Sequence, residues 1–358
     1  MSQKILLLLS LAAAANAQEA SSGFDLRATV SEQVDYTHQL SAPPRDGDPL
    51  SGGFRAMLYP TWKLSEHWFV SGAVQIHSRP YFSEEYTTQG YGVRADVLQG
   101  YLGYSRFWRK GSVTVRAGEL SSAFGSFLLR YDDATNALIA LPLAYGYYYK
   151  PVSDYGLAGA QVDVTLGKLD MRAQFANSSP ANRRSIFDDD QYGNWAGGAG
   201  WTIRQGLRVG VSGYRGPYLD RDYPFFFPGE ANPSQLPATA GGVDVEWASG
   251  PWNVYGEWQR FLLTYRAIPN FREDFGYAEV KRVLHPRWYV AARVGYGSSN
   301  EIPHTEVYEA VVGYRPARNE LIKLGYEVQR GPDIRGSLNN VLAVQFVTTL
   351  HPISVASR

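Results

Sequence analysis

Residues 67–79 read HWFVSGAVQIHSR. Trp68, Val70, Gly72, Val74 and Ile76 fall on one side of an extended chain, and Ser71, Gln75, His77 and Arg79 fall on the other. Side chains of a strand alternate with period two, so this stretch predicts a strand with one apolar face and one wet face. A helix would scatter the same residues around its circumference. The apolar face starts at a tryptophan, which suits a lipid–water boundary better than a soluble core.

The pattern recurs along the chain. Leu207, Val209 and Val211 oppose Arg208 and Ser212; Trp288, Val290, Ala292, Val294 and Tyr296 oppose Arg293; Ile322, Leu324, Tyr326 and Val328 oppose Lys323, Glu327 and Gln329. Sixteen strands are predicted, at 24–36, 53–64, 67–79, 92–106, 111–120, 155–166, 168–177, 194–204, 207–216, 240–249, 251–265, 273–283, 287–297, 305–315, 319–330 and 338–350. The stretch 92–106 changes phase, which predicts a bulge. Short connections with turn residues (65–66, 107–110, 167, 204–206, 249–251, 285–286, 316–318) alternate with long ones (37–52, 80–91, 121–154, 178–193, 217–239, 266–272, 298–304, 331–337). Alternating tight turns and long loops are the connectivity of an all-β, transmembrane, antiparallel up-and-down β-barrel. An even strand count puts both termini on the short-turn side, the periplasmic side of a bacterial outer-membrane barrel. The chain runs on past Phe346 to His351-Pro352 and Arg358 without a terminal aromatic, so an assembly signal is expected inside the last strand or the tail extends into the periplasm.

Composition agrees with this reading. Among 358 residues, 25 Tyr and 9 Trp supply interfacial girdles while the mean hydropathy stays at −0.28, as a wet lumen requires. The balance of 34 basic and 34 acidic residues gives no footprint for nucleic acid. Beyond the first twenty residues no apolar run reaches eighteen, so a membrane helix is excluded. Lys4, the apolar stretch Ile5 to Leu11 with its alanines, and Ala15-Asn16-Ala17 form a secretory signal over 1–17, leaving 18–358 as one barrel domain. There is no cysteine, no metal-ligand spacing among the six histidines and no G-x-S-x-G. His77 and Ser71 are six residues apart on one strand, too far for a hydrolytic pair, so no enzyme, metal or cofactor is expected.

The longest connection, 121–154, is too apolar to stand in water: Phe124, Phe127, Leu128, Leu129, Leu138, Ile139, Leu141 and Leu143 need cover. The inside of the barrel is the simplest cover, and a long third loop folded inward would narrow the lumen. Sixteen strands, a long third loop and no plug resemble the bacterial porins. Val115-Arg116-Ala117-Gly118-Glu119 followed by Ala123-Phe124-Gly125 resembles the start of the third loop in porins of the phosphate-selective O/P type, with Ala123 where that pattern often has Pro. The resemblance implies passive diffusion of small polar solutes or ions through a homotrimer set in outer-membrane lipid and lipopolysaccharide. It does not imply phosphate, because the inward charges are mixed.

The pore-lining or constricting residues expected from alternation and loop position are Arg55, Arg79, Arg116, Arg130, Asp132, Asp133, Tyr147, Tyr149, Lys150, Arg293, Glu309 and Glu327. Opposed rows of basic and acidic side chains would set a transverse field. Asp188-Asp189-Asp190 reads as a solvated acidic tip, and Pro224-Phe225-Phe226-Phe227-Pro228 as an apolar tip over the mouth or the headgroups. The alternative is a non-conducting barrel whose loops fill the lumen. The signal reading has a direct check: N-terminal sequencing of protein from outer membranes should start at Gln18, and recovery of intact Met1 refutes it.

Overall fold

The structure, a computed structural model, describes residues 22–41, 47–81, 92–145, 155–177, 193–218, 236–266, 268–300, 303–333 and 336–356. The predicted signal at 1–17, Asp188 to Asp190 and Pro224 to Pro228 lie outside the described residues. The strands are β1 (Gly23–Tyr36), β2 (Leu50–Lys63), β3 (Trp68–Arg79), β4 (Gly92–Trp108), β5 (Gly111–Leu120), β6 (Leu157–Leu166), β7 (Leu169–Ala176), β8 (Asn194–Arg204), β9 (Leu207–Pro217), β10 (Pro237–Ser249), β11 (Trp252–Leu263), β12 (Phe271–His285), β13 (Trp288–Ser299), β14 (Thr305–Tyr314), β15 (Glu320–Asp333), β16 (Gly336–Thr349) and β17 (Ile353–Ala356).

Each strand from β1 to β15 pairs antiparallel with the next, and β1 pairs with β16, so the sheet closes into a barrel. The first end of β1 pairs instead with β17, Gly23 opposite Ala356 and Leu26 opposite Ile353. β16 and β17 therefore occupy one strand position, giving sixteen around the ring. The break between them is Leu350-His351-Pro352, where Pro352 has no amide hydrogen to give a ladder. The tail beyond 350, for which the sequence predicts an internal assembly signal or an extension into the periplasm, pairs with β1 over Ile353–Ala356 and so takes part in closing the barrel. Both described ends of the chain lie side by side at the short-turn end.

Two local features refine the sequence reading. Ala73 faces Gln99 while Val74 faces Val97, so Leu98 is the extra residue of a bulge in β4, and it is buried against Met57, Ala73 and Tyr155. The phase change in 92–106 is this bulge. The stretch 331–337, expected as a long connection, has strand backbone at 331–333 and 336–337. Asp333 pairs with Gly336 after a register shift, and Gly331 at φ +139° supplies the kink.

The outward face is apolar all round the ring: Val70, Val115, Val211, Val243, Val294 and Leu324 are all exposed. Such a continuous band is the lipid-facing surface of a membrane barrel. At the short-turn end it is edged by exposed Trp62, Trp68, Trp108, Trp201, Trp252 and Trp288, whose amphipathic rings favour the interface. No helix among the described residues is long and apolar enough to cross a membrane. The opposite faces carry most of the polar side chains, together with a buried apolar subset such as Phe261, Phe275, Val311 and Leu321, and surround the lumen.

Val243→Arg and Leu324→Arg should each lower stability by about 2–4 kcal/mol, read from heat-modifiable electrophoretic mobility across a urea series. Ser71→Arg, aimed into the lumen, should cost about 1 kcal/mol or less. Gln75 also points inward, yet its side chain accepts Arg55 Nε at 3.0 Å, so a basic residue there is not a neutral control.

Candidate functional site

Between β5 and β6 the chain runs through 121–145 against the lumen-facing side chains. In this run Leu129 stands apart at 73% exposed, while most of its neighbours are buried. Gln174 on β7 grips the start. Its Nε2 donates to Ser121 O at 2.8 Å and its Oε1 accepts from Ala123 N at 3.0 Å. Gly125 donates to Ser212 Oγ on β9 and its carbonyl accepts from Arg172 on β7. Gly125 has φ +80°, and a Cβ there would lie 2.0 Å from the Tyr145 hydroxyl, so no other residue fits.

Glu257 on β11 ties both ends of the run together. It accepts from Ser126 N and Ser126 Oγ at 3.0 Å each, from Tyr145 OH at 2.7 Å and from Tyr277 OH at 3.1 Å. The Tyr145 hydroxyl in turn accepts from Gln259 Nε2 at 2.9 Å, so donor and acceptor capacity are both used. Burial and then the adjacent Glu257 carboxylate push the Tyr145 phenol well above its ordinary pKa, which keeps it a neutral donor. Arg130 crosses to β12, donating to Glu279 Oε1 at 2.9 Å and to Tyr277 OH at 3.0 Å, with its guanidinium 3.8 Å over the Tyr255 ring.

Asp133 is the centre of the second anchor. Arg55 Nη1 donates to it at 3.0 Å, Tyr81 OH at 2.8 Å, and Ser31 Oγ completes the set. Lys323 Nζ donates to the Asp133 carbonyl at 2.7 Å and to the Leu138 carbonyl at 3.0 Å. Arg55, Asp133 and Lys323 are all buried. Burial alone would raise the Asp133 pKa. The Arg55 and Lys323 charges and the Ser31 and Tyr81 hydrogen bonds outweigh it and hold the carboxyl below its ordinary 3.8.

A third anchor follows within a few residues. Glu309 Oε1 accepts from Ile139 N at 2.8 Å and Ala140 N at 3.0 Å, while its Oε2 takes Arg293 Nη2 at 2.6 Å. Arg293 also donates to Ala140 O at 2.8 Å, and Tyr289 OH to Ala137 O at 3.0 Å. The apolar side chains find cover between these ties. Phe124 and Phe127 pack with Phe261 and Phe275, Leu138 with Tyr289, Val311 and Leu321, and Leu128 and Tyr131 with Met57, Ala73, Leu98 and Tyr155.

Of the residues expected to line the pore, Arg55, Arg130, Asp133, Arg293 and Glu309 are buried and hold this run in place. Asp132 takes a hydrogen bond from Tyr59. Arg116 stays 27% exposed, 3.3 Å from Asp163 and over the Tyr101 ring. Glu327 lies across the ladder from Glu309, and Arg79 ends β3 opposite Gly92. Tyr147, Tyr149 and Lys150 lie outside the described residues. Arg116 pairs with Asp163 and Arg293 with Glu309 along the wall, while Arg55 pairs with Asp133 and Arg130 with Glu279 between wall and run. The sequence reading did not single out Gln174, Gln259, Tyr59, Tyr81, Tyr277 or Tyr289, although strand phase already placed Gln174, Gln259, Tyr277 and Tyr289 on the inner side.

A wetter set lines the wall nearer the short-turn end. Arg208 donates to Asp170 through Nε at 2.9 Å and Nη2 at 2.7 Å, and to Asp244 through Nη1 at 2.7 Å. A Cβ on Gly200 would meet Arg208 Nη2 at 2.0 Å, so that glycine lets the guanidinium lie flat.

No known family profile matches the chain, and no curated protein matches its sequence. Solved structures do match. An anion-selective porin from Comamonas acidovorans superposes with TM-score 0.62 at 10% identity, covering 92% of this chain and 100% of that one. The barrel has the porin fold. Pseudomonas putida OprB gives TM-score 0.61 at 11% identity, covering 92% and 94% of the two chains. Vibrio cholerae OmpT in its trimer form gives 0.59 at 12% identity, covering 92% and 100%. At such identities the likeness is one of fold alone.

Asp133→Ala leaves Arg55 buried without its carboxylate, which should cost docking of 121–145 about 3–5 kcal/mol. Limited proteolysis at neutral pH should then nick this run while the barrel stays intact. Because the folded Asp133 pKa lies below 3.8, its contribution is complete above pH 3.8 and is lost as pH falls through the lower folded value. Pepsin should cut the wild type within 121–145 only below that point, and a uniform cutting rate across it refutes the anchor.

Proposed function

We propose that this protein is an outer-membrane channel for passive diffusion of small polar or charged solutes, with 121–154 folded into the lumen to set its aperture. The observation that carries this reading is the set of lumen-facing side chains, from Gln174 on β7 through Glu257, Arg293 and Lys323 to Arg55 on β2, all bonded to 121–145. A run held from so many strands stands across the water path, not above it. What stays wet is the wall carrying Arg116–Asp163 and Asp170–Arg208–Asp244, which pairs acids with bases. Paired charges lower the barrier to ions of either sign, so weak ion preference is expected. The short-turn end, where both chain ends meet, faces the periplasm on this reading. A homotrimer in lipid and lipopolysaccharide is part of the same proposal, supported by the OmpT likeness in trimer form.

One observation favours a second reading, a non-conducting structural barrel. Leu128 and Tyr131 reach Met57, Ala73 and Leu98 on β2–β4 while Phe127 and Arg130 reach β12, so the run touches walls on both sides. Planar-bilayer recording separates the two. Wild type should conduct, with reversal potentials near zero in a salt gradient. Deleting 126–146 should give a folded, heat-modifiable barrel of larger single-channel conductance, because strand pairing is untouched and only the obstruction is removed. Unchanged conductance refutes the constriction, and silence in both proteins establishes the structural barrel.

A further inference from the structure

The outward face breaks its apolar pattern near the long-loop end of β9–β12. Arg215 on β9 pairs with Thr239 on β10, Thr239 with Leu262 on β11, and Leu262 with Arg272 on β12, so Arg215 and Arg272 mark the two ends of one outward row. With strands about 4.8 Å apart the row spans about 14 Å. Arg260 stands two residues along β11 from Leu262, its side chain 57% exposed. Asp274 holds Arg260 through Nε at 2.7 Å and Nη2 at 3.2 Å, which turns the guanidinium and leaves Nη1 for another acceptor.

Between the arginines the surface is hollow. Gly213 faces Gly241 and Gly241 faces Arg260, so two adjacent strands present no side chain there. A Cβ on Gly241 would meet nothing within 4 Å, and one on Gly213 only Ala240 O at 3.8 Å. The result is a shallow basin with a glycine floor, the Thr239 hydroxyl beside it and three guanidinium groups on its rim. Next to it, toward the barrel middle, Val211 and Val243 are exposed and apolar. Among the described residues at this level, Glu32 on β1 is exposed and acidic, and Arg330 on β15 lies across the ladder from Glu306.

Guanidinium groups at the edge of a lipid-facing wall lie at headgroup level, where they attract anionic groups. Their planar donors match phosphate oxygens, and a hydroxyl beside them suits a sugar. An apolar track below matches an acyl chain. We propose that this basin binds the phosphorylated saccharide headgroup of an outer-leaflet glycolipid, with its chains laid over Val211 and Val243. This rests on the outer-membrane reading above and adds a defined lipid site to it.

The test compares three proteins: wild type, Arg215→Gln/Arg272→Gln, and a control, Arg106→Gln/Arg282→Gln, which removes two exposed outward arginines at the short-turn end. Each is placed in phosphatidylcholine nanodiscs with bisphosphorylated lipid A or its dephosphorylated form, and retained lipid is counted by native mass spectrometry. Wild type and control should retain bisphosphorylated lipid A, and the basin variant should bind it about tenfold or more weakly. Dephosphorylated lipid A should be retained weakly by all three, and excess inorganic phosphate should not displace the bound lipid. Equal retention by wild type and basin variant overturns the site, as does equal loss in the control. Displacement by inorganic phosphate would assign the arginines to a free anion instead and overturns the lipid. Conductance recorded on the same samples keeps the readings apart. A conducting barrel without lipid preference sinks only this site, and lipid retention without conductance sinks only the channel.

Discussion

Hydrocarbon offers no water to an unpaired amide or carbonyl, so a sheet that crosses a membrane has to end where it began. The rest of this structure follows from that closure. β1 is paired along its length by two successive segments, β16 and then β17, and the ring has no edge. The bulge at Leu98 and the kink at Gly331 are absorbed without opening it. Alternation then sorts every side chain to lipid or lumen, and the lumen receives the polar set.

A closed ring of sixteen strands is too wide for its own side chains to fill. The run 121–145 supplies the missing contents. Its apolar residues gain cover, and its polar backbone is bound by carboxylates, amides and arginines from strands far away in sequence. Buried ions are expensive, and here three pairs match: Asp133 with Arg55, Glu309 with Arg293, Glu279 with Arg130, while Lys323 and Glu257 are held by neutral hydrogen-bond partners. Such ties contribute little net stability compared with apolar packing. Their consequence is specificity of position, since sliding the run by one residue would leave several buried charges unpaired. On the channel reading proposed above, a run fixed in this way, whose only regular pieces are the short 3-10 turns Phe127–Arg130 and Leu143–Tyr145, would set the aperture.

The outer wall follows the opposite rule. Its band tolerates almost anything apolar, so departures carry information. The tryptophans at the short-turn end mark one interface, and the arginines around Gly213 and Gly241 mark a stretch of the other where a fixed anion meets the protein.

The sequence by itself determined the strands, their inward and outward faces, the rhythm of short and long connections and the need of 121–154 for cover, because each depends on neighbours one, two or a few residues apart. It read 331–337 as a connection where 331–333 and 336–337 extend the β15–β16 hairpin, and it left the tail after 350 open where β17 pairs with distant β1. It also placed Arg55, Arg293 and Glu309 on the inner side without distinguishing a water-lining charge from a buried tie. Only the tertiary structure decided that. Asp133 meets Ser31, Arg55 and Lys323, residues separated from it by about a hundred positions or close to two hundred. No local periodicity encodes such contacts. They arise when ring closure brings β1, β2 and β15 together around the same loop.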